Sequence, residues 1–261
     1  MKLIYIALAI FILGVGARAA SADEITMVLA TVGTSNDRLR LIEGQIPEEK
    51  PGWFVELSRR TAAACGAKVA FAFMPWARAL DMVKKGNVAG AFNSSYKLSR
   101  VGYGVYPMHD GKPDLNRAAK HYSYNVYVSG DSTDSALLSK AELSGRTIVA
   151  ERQASIIPLL KKRGAKVIEV ASYISMLRVV ASKRVDGAVG ISANLDPILQ
   201  RHPDLLALIK KVPVPVKKSI GYVMFSKLFY AQHKKLVECF WQQMANLRNT
   251  EWYKQLREDY R

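Results

Sequence analysis

Several side chains in this 261-residue chain could do chemistry, and most of that chemistry is anion binding. Arg100 closes the segment Ser94-Ser95-Tyr96-Lys97-Leu98-Ser99-Arg100, shortly after an apolar run that ends at Phe92. A guanidinium is a planar fork that makes two parallel, charge-assisted hydrogen bonds to a carboxylate. Asn93 and Ser95 add polar groups beside it, in a stretch that would also serve as an ordinary turn. Gln153-Ala154-Ser155 opens a predicted helix, whose first N–H groups are free and carry partial positive charge. Ser155 would equally serve as a plain N-cap there. Trp53 and Trp76 each begin a predicted helix, where they would pack against a ligand or into the core. Arg78 adds positive charge two residues beyond Trp76.

Other chemistries lack their residues. His109, His121, His202 and His233 have no close metal spacing, and neither GxSxG nor HExxH occurs. No metal, no cofactor and no enzymatic activity are expected. Two cysteines, Cys65 and Cys239, are too few for a disulfide scaffold or a four-cysteine zinc module. They form one bridge or remain two separate buried thiols, and spacing alone does not decide which.

The chain's organisation says where those residues sit. Met1-Lys2, an uncharged apolar run over residues 3–16 and Ala20-Ser21-Ala22 have the shape of a secretory signal peptide, with cleavage near Ala22. The run is short for a membrane span. The composition, 49% hydrophobic and 23% charged, is that of a globular chain. The formal charge is +16, from 38 Lys+Arg against 22 Asp+Glu. In an exported protein such charge points to anionic solutes or surfaces rather than nucleic acid, and no nucleic-acid partner is expected. The Lys pairs at 84–85, 161–162, 210–211, 217–218 and 234–235 are scattered and read as solvated surface.

Residues 25–33 read as a buried strand, 53–65 as a helix, 68–74 as a strand, 76–85 as a helix and 88–92 as a strand. That alternation is the signature of a parallel α/β unit. The pattern recurs. Gly66-Ala67-Lys68-Val69 is echoed by Gly164-Ala165-Lys166-Val167, and Val88-Ala89-Gly90-Ala91 by Val185-Asp186-Gly187-Ala188. Residues 146–151 and 156–163 supply the second unit's first strand and helix. Extended segments at 121–128 and 212–225 would connect two lobes, with helices near 229–247 and 251–259 closing the chain. The expected division is a signal peptide over 1–22, a discontinuous first lobe of 23–120 plus 219–261, and an inserted second lobe of 121–218.

With these elements in place, the sequence resembles the periplasmic solute-binding proteins of ABC importers, family 3, the polar amino-acid type. The resemblance covers nearly all of residues 23–261. It rests on GWFVEL (52–57), Trp76 with Leu80, SSYKLSRVGYGVYP (94–107), LSGRTIVAERQAS (143–155), RVDGAVG (184–190) and the tail from Leu236 to Tyr260. It implies a two-lobed clamshell of type II, each lobe a mostly parallel sheet flanked by helices, with two hinge crossings. It also implies a periplasmic, monomeric protein that takes a small anionic solute or amino acid and delivers it to an ABC permease in the inner membrane. Arg100 stands where the family's arginine grips the ligand carboxylate. Asn93 and Ser95 match cleft-facing positions, and Ala154-Ser155 match an anion contact in the other lobe.

Two departures qualify the ligand. The family's amino-acid binders place an Asp after the strand matched by RVDGAVG, and here the residues are Gly190-Ile191-Ser192-Ala193. An aromatic is also missing from the loop Thr31 to Asp37. An ammonium with no counter-charge would be costly in a closed cleft, unless Asp37 or Glu151 supplies one. The expected ligand is therefore a carboxylate or other anion without a free α-amino group. A ligand-sensing or cell-surface protein built on the same clamshell is the alternative, followed by a periplasmic dehydratase-like enzyme.

Overall fold

The structure, a computed structural model, describes residues 24–33, 41 and 45–260. The signal peptide over 1–22, its cleavage site and Asp37 lie outside the described residues.

The first unit is β1 (Thr26–Thr31), α1 (Trp53–Ala63), β2 (Lys68–Phe73), α2 (Trp76–Lys84) and β3 (Gly90–Ser94). Short elements follow: α3 (Leu98–Val101), β4 (Gly104–Val105) and the hairpin β5 (Met108–His109) with β6 (Lys112–Pro113). β7 (Lys120–Ser129) then leads into the second unit. That unit comprises α4 (Ser135–Lys140), β8 (Thr147–Glu151), α5 (Ile157–Lys162), β9 (Lys166–Val170), α6 (Tyr173–Ala181) and β10 (Gly187–Ile191). After α7 (Ser192–Arg201), α8 (Pro203–Leu206) and β11 (Ile209–Lys211), β12 (Lys217–Ser226) returns to α9 (Lys227–Arg248) and α10 (Glu251–Glu258).

The echo in the sequence is an echo in three dimensions. β1 pairs in parallel with both β2 and β3, and β8 pairs in parallel with both β9 and β10. Each unit therefore has its first strand in the middle of a three-stranded parallel sheet. Gly66 and Gly164, which open the repeated Gly-Ala-Lys-Val, both sit at positive φ, +68° and +78°. A chain leaving a helix commonly takes that left-handed step, and glycine takes it without steric cost. Lys68 then pairs with Thr26, and Lys166 with Thr147, at the start of equivalent strands.

Two antiparallel strands join the units. β7 pairs with β10 and β11 through Tyr124–Ser129, and with β12 through Lys120–Tyr124. β12 continues past that contact to pair with β3 and β4 through Tyr222–Ser226. β12 thus runs from one sheet into the other, and β7 enters the second sheet alongside it, which makes the two crossings of a clamshell. The predicted extended stretch 212–225 starts as a strand only at Lys217, because Pro213 and Pro215 cannot donate to a ladder. Val212 and Val216 still donate backbone N–H groups to β7, at Val126 O and Tyr124 O.

Each sheet is packed on both faces. In the first lobe, α1, α9 and α10 cover one face with Phe54, Leu57, Phe240 and Trp241, while α2 covers the other with Leu80 and Val83. In the second lobe, α4 and α5 contribute Leu137 and Leu160 to one core, and α6 and α7 contribute Met176, Leu177 and Leu195 to the other. Cys65, just past α1, is bridged to Cys239 on α9 with a Cα–Cα distance of 6.0 Å. The bridge ties the end of α1 to α9.

The bridge closes 174 residues of sequence, so its loss frees a long loop in the unfolded chain. Cys65→Ser with Cys239→Ser should lower stability by about 2–5 kcal/mol, measured by urea unfolding of the oxidised and substituted proteins. Coincident unfolding curves would contradict this.

Candidate functional site

The end of β3 turns sharply into the site. Asn93 takes positive φ, +66°, which is uncommon for a residue with a side chain. Its Oδ1 is buried, has no hydrogen-bond partner among the described residues, and lies against Gly221 on β12. A Cβ at Gly221 would stand 2.2 Å from that oxygen, so any larger residue on the crossing strand would displace the Asn93 side chain. Ser94 Oγ pairs with the Tyr106 hydroxyl at 2.8 Å, and Tyr106 donates to Ser95 O at 3.0 Å. Burial pushes the Tyr106 phenol up to about 12, so it stays a donor.

This scaffold holds Arg100. The side chain sits on α3, is only 4% exposed and makes no ion pair among the described residues. Nη1 donates to Ser95 O at 3.1 Å and to Ser94 Oγ at 3.4 Å. Nη2 reaches across to the second lobe and donates to Gln153 O at 3.1 Å. Gln153 also has positive φ, +59°, and this turns its carbonyl toward the arginine. The guanidinium lies 5.4 Å from the ring of Trp76.

A second contact between the lobes runs through hydroxyls. Ser95 Oγ meets Ser155 Oγ at 2.9 Å and also pairs with the Tyr122 hydroxyl. Ser155 Oγ pairs in turn with the Tyr124 hydroxyl at 3.0 Å. The expectation that Ser155 caps a helix needs correction. α5 begins at Ile157, is six residues long and receives no side-chain cap. Ser155 therefore contributes its hydroxyl to the cleft, and the helix terminus contributes little.

Between these contacts lies a cavity of about 700 Å³, its open mouth included. Of the candidate residues, Asn93, Ser95, Arg100, Trp76, Ala154 and Ser155 line it. Two expected residues do not. Trp53 packs edge-on against Phe54 and Tyr253 and carries the Arg257 guanidinium on its face, 4.1 Å away. Arg78 is exposed on α2 and is not among the residues that line the cavity.

The cavity also contains groups that went unread. Lys120, the first residue of β7, is 6% exposed. Its Nζ has no hydrogen-bond partner among the described residues and stands 5.6 Å and 5.5 Å from the rings of Phe92 and Tyr122. Strand alternation puts Lys120, Tyr122 and Tyr124 on one face of β7, and that signal was available in the sequence. Facing them is Glu151 at the end of β8, 6% exposed, with Oε1 unpartnered among the described residues. Burial pushes its carboxyl up to about 7, against the opposing effect of a hydrogen bond from Tyr173. Asn194 Nδ2 donates to the Tyr173 hydroxyl at 2.8 Å, completing a polar chain behind the acid. Gly190 and Ile191 of β10 line the wall as well, and Asn194, on α7 just after that strand, adds a polar side chain to it. Among the described residues, no group of three or more His, Cys, Asp or Glu is placed to hold a metal ion.

No protein-family model matches the chain, and no curated protein matches its sequence. Solved structures do match its fold. A histidine kinase sensor domain with similarity to periplasmic binding proteins aligns at TM-score 0.71 and 19% identity, over 91% of this chain and 96% of that one. The arginine-, lysine-, histidine-binding protein of Geobacillus stearothermophilus aligns at 0.69 and 13% identity, over 90% and 94%. A structure from work on glutathione import and the cystine ABC importer of Streptococcus mutans aligns at 0.70 and 17% identity, over 91% and 95%. With its central parallel strands, two crossing strands and cleft between lobes, this chain has the clamshell fold of the periplasmic binding proteins.

Proposed function

We propose that this is an exported solute-binding protein that holds a small carboxylate-bearing anion between its lobes and delivers it to an ABC-type permease. One observation carries the reading. Arg100 and Lys120 are both buried at the cavity, and neither is ion-paired among the described residues. Buried cations without counter-charge are costly, and a carboxylate seated against them would offset that cost. Glu151 does not cancel them, because its carboxyl is pushed up to about 7 and is largely protonated below that pH. The hydroxyls of Ser95, Ser155 and Tyr122 and the amide of Asn93 would orient the ligand.

In this reading, residues 23–120 with 219–261 form one lobe and 121–218 the other. They turn about β7 and β12, and a ligand touching both lobes favours closure. The signal-like segment over 1–22 would send the chain to the periplasm, where it would act as a monomer. The Cys65–Cys239 bridge fits such an oxidising compartment. The match to amino-acid binders supports a carboxylate-bearing ligand, and the cationic cavity favours one without a free amino group. A sensing role is the second reading, favoured by the match to a histidine kinase sensor domain. Loss of solute uptake on deletion of the gene supports transport, whereas intact uptake with a lost transcriptional response supports sensing.

Thermal unfolding against a panel of organic acids, amino acids, sugars and oxyanions tests the ligand class. An anion should raise the melting temperature by mass action. Arg100→Ala should weaken that binding about 10- to 100-fold, while Arg78→Ala leaves it unchanged. Tight binding of a zwitterionic amino acid, or full binding by Arg100→Ala, would contradict the proposal.

The pH dependence follows from Glu151. An anion bound nearby favours the protonated acid, so its carboxyl titrates higher in the complex than in the free protein. The complex then holds more protons, and affinity falls as pH rises through about 7. Calorimetric titrations from about pH 6 to about pH 8 should show this decline, and Glu151→Gln should flatten it. Affinity that rises with pH would indicate a ligand ammonium paired with Glu151.

A further inference from the structure

A second concavity lies behind the hinge, where the start of β7 passes the C-terminal helices α9 and α10. Trp53 and Tyr253 form its aromatic walls, and Ala193 on α7 contributes a wall from the second lobe. All its ionisable side chains other than the Tyr253 phenol are basic: Lys120, His121, Arg248 and Arg257. No carboxylate lines it among the described residues. The cations are also held in position. Arg248 Nη1 donates to Ala118 O, while its Nε is buried and has no partner among the described residues. Arg257 is stacked on Trp53. Lys120, 94% buried, stands between this concavity and the cleft, with its Nζ unpartnered among the described residues.

Fixed like charges in one concavity repel one another, and a multivalent anion relieves that repulsion while satisfying the free N–H donors. We propose that this concavity is an oxyanion site, next to the cleft and sharing Lys120 with it, that takes a phosphate group. Two sources share that chemistry: free inorganic phosphate and the headgroup of an anionic phospholipid. The site draws its walls from both lobes and from the strand that joins them, so its occupancy is linked to the angle between the lobes. It does not depend on the identity of the cleft ligand.

The test uses the mature protein and inorganic phosphate at constant ionic strength, followed by the indole N–H resonances of Trp53 and Trp76. Each resonance is assigned with a Trp→Phe variant. The Trp53 signal should shift and saturate while the Trp76 signal stays in place. Arg257→Gln should weaken the titration roughly tenfold or more, as should Arg248→Gln if that variant folds. Arg100→Ala should leave it intact. Co-sedimentation with phosphatidylglycerol vesicles, against phosphatidylcholine vesicles, separates the sources. Saturation by phosphate in solution supports the free anion, and binding to anionic vesicles alone, lost in Arg257→Gln, supports the headgroup. A linear shift without vesicle binding, a titration indifferent to Arg257→Gln, or movement of Trp76 with loss in Arg100→Ala would overturn the proposal.

Discussion

The buried guanidinium of Arg100 is the constraint on which the cleft depends. It lies between two lobes with carbonyls and a hydroxyl around it and no carboxylate among its described partners. A cation in that position must be hydrogen-bonded on every side available to it. The neighbouring backbone is shaped to that end. Asn93, which precedes the acceptor Ser94, and Gln153, whose own carbonyl accepts from Arg100, adopt the left-handed region, one from each lobe. Strained φ values of this kind persist only where the surroundings over-determine them. Here the surroundings are the Ser94–Tyr106 pair, the Ser95–Ser155 contact and the close passage of Gly221.

The fold supplies this geometry through its two crossing strands. β7 and β12 hold each other in antiparallel register and also edge the two parallel sheets. The cleft residues therefore sit at the carboxyl ends of β3 and β8, or at the start of β7, which are fixed in relation to the crossing. In open α/β sheets, ligands favour such strand ends. The duplicated strand–helix–strand unit thus places Asn93, Ser95 and Arg100 opposite Glu151, Ala154 and Ser155.

Much of this was legible in the sequence because it is local. The repeated Gly-Ala-Lys-Val marks the same helix exit and strand start twice, and both the period and the element order follow from it. Arg100, Ser95 and Ser155 were readable from residue type and resemblance. Trp53 takes the core place that was one of its two readings, since an aromatic at the start of an amphipathic helix suits a core as well as a cleft. Its surroundings are decided by the far C-terminus, where Tyr253 and Arg257 pack on it and the Tyr260 hydroxyl accepts a bond from Gly52 N. Lys120 was missed for a similar reason. Alternation assigns it a face of β7, but only the opposing sheet turns that face into a cavity wall. The Cys65–Cys239 bridge joins residues 174 positions apart, a distance that the linear sequence does not encode.

Native mass spectrometry of the purified protein, beside Arg100→Ala prepared identically, tests the central claim most directly. The account predicts that a small carboxylate-bearing anion co-purifies with the unaltered protein and is absent from the variant. A bound cation or neutral sugar, or an anion retained equally by Arg100→Ala, would contradict it.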